Sequence, residues 1–155
     1  MRSIQNHIDF GILLTGAFGV FKTELHAHLA KCGYSDVAPT FGYIFRILNA
    51  NAASLRELAN LLQMTPQGAH KVIEDMVSKN YVRREADPGD ARITRLHLTR
   101  RGKSALAQAR RFHATFEAKL GKLLGSNQVA VARVVLEQIL ARGGQTENEL
   151  GLRAF

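Results

Sequence analysis

Ten cations stand between positions 79 and 111: Lys79, Arg83, Arg84, Arg92, Arg95, Arg100, Arg101, Lys103, Arg110 and Arg111. Only three carboxylates, Glu85, Asp87 and Asp90, offset them. Eight of the ten are arginines, whose planar guanidinium forks match the oxygens of a phosphate group. Their spacing suggests how they are displayed. In Asp90-Ala91-Arg92-Ile93-Thr94-Arg95-Leu96-His97-Leu98, strand-forming residues partly alternate with polar ones. Tyr81-Val82-Arg83-Arg84-Glu85 is a second β-rich run, and Asp87-Pro88-Gly89-Asp90 supplies turn residues between the two. The expected element is a β-hairpin carrying arginines rather than a core face. Its natural counterpart is a nucleic-acid backbone. Arg83 and Arg84 fall on opposite faces of the strand, so one of them faces that backbone and the other is left for an ion pair with Glu85 or for a partner helix. Arg84, Arg92 and Arg95 are the wing contacts expected here, with Asp90 beside Arg92.

Other chemistry-bearing residues form no complete constellation. The sequence has no glycine-rich phosphate loop and no Ser or Cys nucleophile in a recognisable catalytic motif, so an enzyme is not expected. Glu24, His26, His28 and Cys32 lie close in sequence, but residues two apart on a helix point in different directions. His28 and Cys32 share a face, yet two ligands do not complete a metal site, and His113 joins them only through tertiary placement. No metal or cofactor is expected. Cys32, the single cysteine, cannot form an intrachain disulfide and suits a reducing cytoplasm. It is either a candidate redox switch or simply packed at a helix end.

The elements that position the arginines follow from capping signals. Ser54-Leu55-Arg56-Glu57 is a capping box opening a helix over 55–62, with Leu55, Leu58, Ala59 and Leu62 inward. Thr65-Pro66 starts another helix, Thr as cap and Pro where its missing N–H costs nothing. Ala69, Val72, Ile73, Met76 and Val77 form its buried face, leaving Gln67, His70, Lys71, Glu74 and Asp75 outside. Asn80 follows, a residue that tolerates the left-handed conformation at helix ends. Two short capped helices before a basic hairpin make a winged helix-turn-helix. Thr65, Gln67, His70 and Lys71 are then the residues that meet the major groove.

Around this unit the apolar period continues. A long helix is expected over 4–31, from Ile4, Ile8, Ile12, Phe18, Leu25 and Leu29, and a second over 38–49 with Pro39 in its first turn. After Thr99 a helix runs to about Leu123. Gly125-Ser126-Asn127 interrupts it before a last helix over 128–141, apolar around much of its circumference. Such terminal helices suit a homodimer interface. The expected organisation is an N-terminal dimerisation helix (1–35), the winged helix-turn-helix (36–104), C-terminal dimerisation helices (105–142) and a mobile tail (143–155). Phe18, Phe21, Tyr43, Phe112 and Phe116 could line a pocket for a small aromatic ligand at the junction, or serve as plain core.

Bulk properties agree. A length of 155 residues suits one domain, and 46% hydrophobic with 22% charged residues is globular composition. The net charge of +8 favours a polyanionic partner. The apolar run Phe10 to Phe21 is too short to span a membrane, so no membrane association is expected.

The order of these elements, with Asp90-x-Arg92 followed by Leu98-Thr99-x-x-Gly102, Leu58-Ala59 and the run Val72 to Arg84, resembles the MarR family of bacterial transcriptional regulators. The resemblance spans about residues 4–142. It implies a mainly helical homodimer with a small β-wing, binding a palindromic operator in double-stranded DNA, read here as a repressor. It also implies that Arg92 enters the minor groove and that Asp90 helps to fix it. The chain departs from the family pattern at His70-Lys71, where Ser or Thr then Arg is usual, at Gly68 within a helix, and at Asn80, where Gly is usual. The operator sequence is therefore open. The alternative is a winged helix whose basic face binds a protein or RNA.

Overall fold

In a computed structural model, which describes residues 8–143, six helices surround a two-stranded hairpin. In chain order these are α1 (Phe10–Lys31), α2 (Phe41–Ala50), α3 (Leu55–Leu61), α4 (Pro66–Ser78), β1 (Val82–Ala86), β2 (Thr94–Leu98), α5 (Arg100–Leu124) and α6 (Ser126–Arg142). The mainly helical winged helix-turn-helix expected from sequence is what the chain forms.

The capping signals act as they read. The Ser54 hydroxyl accepts from Glu57 N–H, while the Glu57 carboxylate accepts from Ser54 N–H, a complete capping box. Thr65 Oγ1 accepts from Gly68 N–H at the start of α4, and Thr99 Oγ1 accepts from Gly102 N–H at the start of α5. Gly68, unusual inside a helix, sits where a Cβ would lie 3.0 Å from the capping oxygen of Thr65. Asn80 adopts φ 60°, ending α4 in the left-handed region.

One core serves the whole winged unit. Phe41, Ile44, Phe45 and Leu48 of α2 meet Leu58 of α3, Ile73 and Met76 of α4, and Leu106 of α5. Phe41, Phe45 and Tyr81 form a triangle of rings 5.5–6.1 Å apart.

Several expectations need correction. Helix α1 begins at Phe10, with Ile8 and Asp9 before it, and Ile4 lies outside the described residues. Pro39 precedes α2 instead of occupying its first turn, since the helix begins only at Phe41. Gly125 alone, at φ 98°, separates α5 from α6. The hairpin does carry a core face: β1 and β2 are antiparallel with Val82 opposite Leu98 and Arg84 opposite Leu96, and Val82, Leu96 and Leu98 are buried. Leu96 also exchanges backbone hydrogen bonds with Ala53, tying the wing to the segment ahead of α3. The expected tail from Gly144 lies outside the described residues.

The terminal helices are not covered within one chain. No residue of α6 is buried, and Phe10, Ile12 and Leu13 of α1 are exposed. None of the helices among the described residues is long and apolar enough to cross a membrane.

Candidate nucleic-acid interface

The cap at Thr65 fixes the direction of α4, and the apolar stripe Ala69, Ile73, Met76 fixes its rotation. Gln67, His70 and Lys71 are consequently exposed together on the opposite side. Gln67 and Lys71 make no ion pair or side-chain hydrogen bond among the described residues. His70 Nε2 lies 3.6 Å from Glu74, one turn along the same face. Thr65 is exposed too, but its hydroxyl is committed to the cap.

The wing tip is organised by two aspartates. Asp87 Oδ1 accepts from the N–H groups of Gly89 (2.8 Å) and Asp90 (3.3 Å), closing the turn. Asp90 Oδ1 accepts from Arg92 N–H at 3.0 Å, so it holds the backbone at the tip while the Arg92 side chain stays 94% exposed. The Arg92 Nε lies 3.9 Å from the same carboxylate, a loose pair that leaves the guanidinium available.

The other two wing arginines expected at the interface, Arg84 and Arg95, are both engaged in ion pairs. Arg95 Nε donates to Asp87 Oδ2 at 2.6 Å and its Nη1 to Glu57 Oε2 at 2.7 Å, joining wing, turn and α3. The Arg95 hydrogen bond, with help from Gly89 N–H, holds the Asp87 carboxyl below its usual range. The Ser54 backbone and hydroxyl, then Arg95, do the same for Glu57. Arg84 shares the face of the hairpin that carries Leu96, and there it pairs with Glu74 of α4. Arg83, on the other face, pairs with Glu85, which also faces His97 Nε2 at 3.3 Å. Both Arg84 and Arg95 thus brace the hairpin against the helices. Sequence reasoning missed this because Glu57 and Arg95 are 38 positions apart; the capping box revealed Glu57 but only as a cap.

The five aromatic residues expected at a pocket separate into two groups. Phe21, Phe112 and Phe116 pack together with centroids 5.1–5.7 Å apart, joined by His113. Phe18 is exposed beneath the Lys22 ammonium, and Tyr43 is exposed on α2. A cavity of about 280 Å³ lies beside the cluster, between Glu24, His28 and Lys31 of α1 and Phe112, Phe116 and Lys119 of α5. Cys32 is partly buried, its thiol 3.7 Å from His28 Nε2 and donating to Gln108 Oε1 at 3.6 Å. No group of three or more His, Cys, Asp or Glu among the described residues is placed to hold a metal ion.

A profile of the MarR family matches residues 36–93, from the exit of α1 through the wing tip. Over that segment the chain resembles the MarR family, and its fold is a winged helix-turn-helix. No curated protein sequence matches it. Among solved structures it is similar to the reduced form of MarR from E. coli, with a TM-score of 0.70 and 21% identity over 88% of this chain and 99% of that one. It is also similar to FabT of Streptococcus pneumoniae in complex with DNA (TM-score 0.68, 18% identity, 86% and 96% covered). A third is a MepR mutant from S. aureus bound to an oligodeoxyribonucleotide (TM-score 0.62, 17% identity, 88% and 99% covered). At these identities the structural likeness speaks for the fold.

Proposed function

We infer that this chain is a DNA-binding transcriptional regulator of the MarR type, not an enzyme, and that it grips a palindromic operator as a homodimer. The observation that carries the reading is the pairing of two free displays on one braced unit: the polar face of α4 with Gln67, His70 and Lys71, and Arg92 alone at the wing tip. Helix α4 enters the major groove, where Gln67 and Lys71 reach base edges or adjacent phosphates. Arg92 meets the minor groove or its flanking phosphates. Thr65 and Asp90 hold those two elements in position, while Arg84 and Arg95 keep the wing stiff through Glu74, Asp87 and Glu57. A protein-binding surface would show an apolar or aromatic anchor at its centre, and the exposed face of α4 offers none. The test is enrichment of a duplex from a random pool, followed by a mobility shift at physiological salt with competitor DNA. Enrichment of a palindrome with half-sites about 10–10.5 base pairs apart supports the reading. Failure to prefer any duplex, with binding to RNA or protein instead, overturns it.

Ligand control belongs to the cavity between α1 and α5. Its lining brings Phe112 and Phe116 together with Lys31 and Lys119, whose two ammonium groups outnumber the one carboxylate, Glu24, a combination that suits a small aromatic acid. Such a ligand releases DNA only to the extent that it prefers the non-binding geometry. Titration of aromatic acids into the operator complex tests this; unchanged DNA affinity at saturating acid rejects it.

A further inference from the structure

Three elements that are distant in sequence converge on one side chain at the base of the reading head. The chain leaves α1 through Gly33, whose φ of 88° turns it sharply, and so delivers Tyr34 and Asp36 to the first turn of α5. There Tyr81, fully buried between α4 and β1, donates its hydroxyl to Asp36 Oδ1 at 2.5 Å. Arg101 Nη2 donates to both Asp36 oxygens, at 2.9 and 3.2 Å, and to the Tyr81 hydroxyl at 3.1 Å. The same guanidinium lies over two rings, 4.7 Å from Tyr81 and 5.4 Å from Tyr34. The Tyr81 backbone seats α5 as well, since its carbonyl accepts from Thr99 N–H and the Thr99 hydroxyl.

Burial, and then the hydrogen bond to Asp36, push the Tyr81 hydroxyl up to about 12, so it remains a donor throughout the physiological range. Partial burial opposes ionisation of Asp36, but the hydrogen bonds from Tyr81 and the charge of Arg101 outweigh it and keep the carboxyl below its usual range. As a source of stability the arrangement is unremarkable. Arg101 and Asp36 are each about a third exposed, a setting in which an ion pair contributes little, and Arg101 Nε is buried without an acceptor among the described residues. As a source of geometry it is well defined: a guanidinium whose Nη2 meets one carboxylate and one phenol, and which lies over two rings, is restricted in orientation.

We propose that Asp36, Tyr81 and Arg101 form the joint that holds the reading head at one angle to the α1/α5 stem, with Arg101 as a positioning residue for operator spacing. The proposal rests on the DNA-binding reading above. In a dimer the two heads hang from paired stems, so the angle at this joint sets the distance between the two α4 helices. Without it each head samples several angles and must be ordered when DNA binds.

The experiment uses the full-length chain with Asp36→Asn and, separately, Tyr81→Phe, which keeps the ring packing and the stacking on Arg101. Affinity is measured for the duplex selected by the unaltered protein and for the same duplex with one or two base pairs inserted between half-sites. The expected result is a loss on the order of tenfold on the selected spacing, with a much smaller penalty for the inserted base pairs than the unaltered protein shows. A variant that is merely less folded loses affinity on all spacings equally, and that outcome overturns the proposal, as does an unchanged spacing profile. A second measurement is independent of DNA. Spin labels at Lys71→Cys on α4 and Lys119→Cys on α5, in a Cys32→Ser background diluted into unlabelled protein, report the head-to-stem distance within one chain. A narrow distribution that broadens or shifts with Asp36→Asn supports the joint, and an identical distribution rejects it. If the unaltered chain selects no duplex but the labels still show broadening, the joint stands and the DNA reading alone fails.

Discussion

Single side chains divide here between those that are free and those that are spent, and the division predicts how substitutions fail. Arg92 is free at the tip, so Arg92→Ala is expected to weaken binding to operator and random duplex alike. It should also lower the slope of log affinity against log salt by about one, the mark of a lost phosphate contact. Lys71 is free on α4, so Lys71→Ala is expected to cost about 1–3 kcal/mol on the operator and to relax base preference at one position per half-site. Affinities on both duplexes across a salt series check the pair. An unchanged operator preference in Lys71→Ala would transfer base reading to Gln67 and His70. Gly102 makes a different prediction: a Cβ there would sit 2.3 Å from the Tyr81 carbonyl oxygen, closer than real atoms approach. Gly102→Ala gains about 1 kcal/mol of helix propensity but forces the backbone of α5 from Tyr81, at a cost of about 1–3 kcal/mol or more. A lowered Tm by calorimetry is the expected outcome. Legibility at this scale followed locality. Thr65, Asn80 and the Asp90–Arg92 contact were visible because their partners lie within a few residues. The engagement of Arg84 with Glu74, and of Arg95 with Glu57, was not, because strand register and helix packing had to bring them together.

At the scale of elements, capping and period placed α3, α4 and the hairpin almost to the residue, while the contacts among α1, α2 and α5 depended on tertiary placement. His113 shows why. On sequence it is one more position in the stripe of α5; in the fold it packs against Phe21 of α1 and lies 3.1 Å from Arg46 Nη2 of α2. Burial, and then the charge of Arg46, depress its pKa below the ordinary histidine value of 6.5, and Arg110 adds further positive charge close to Arg46. The neutral imidazole is therefore the folded form. Above about pH 6.5 folded and unfolded chains both carry neutral histidine here and the three-helix contact is at full strength. As pH falls below that value the unfolded chain takes up the proton first, and stability is lost down through the depressed folded pKa. His113→Gln, which stays neutral, is expected to flatten the fall in Tm between pH 7.5 and 5.5 relative to the unaltered chain. Equal slopes for the two proteins would show that other groups govern the acid limb.

For the whole molecule, the decisive feature is apolar surface that one chain leaves uncovered. Val131, Val134, Val135, Leu136, Ile139 and Leu140 are all exposed along α6, and Phe10, Ile12 and Leu13 extend the same character at the start of α1. Contiguous apolar surface of this kind marks an interface. The apolar circumference of the last helix already suggested in sequence that more than one neighbour covers it, and among the described residues α5 is the helix that packs against it. A second copy is the economical partner, because a two-fold axis turns one patch into two complementary halves and also presents two reading heads to a palindrome. The expected outcome is twice the chain mass by light scattering at low micromolar concentration. Placing charges in the interface by Val135→Glu with Ile139→Lys should shift the protein to monomer and leave the winged unit folded, because neither residue touches the core formed by α2 to α5. Such a monomer retains one α4 and one wing, and so about half the phosphate contacts. Its salt slope should fall to about half that of the dimer and its preference for a palindrome over a single half-site should vanish. A double variant that remains dimeric with operator binding intact would move the interface away from α6, and the exposed start of α1 would then have to carry it alone.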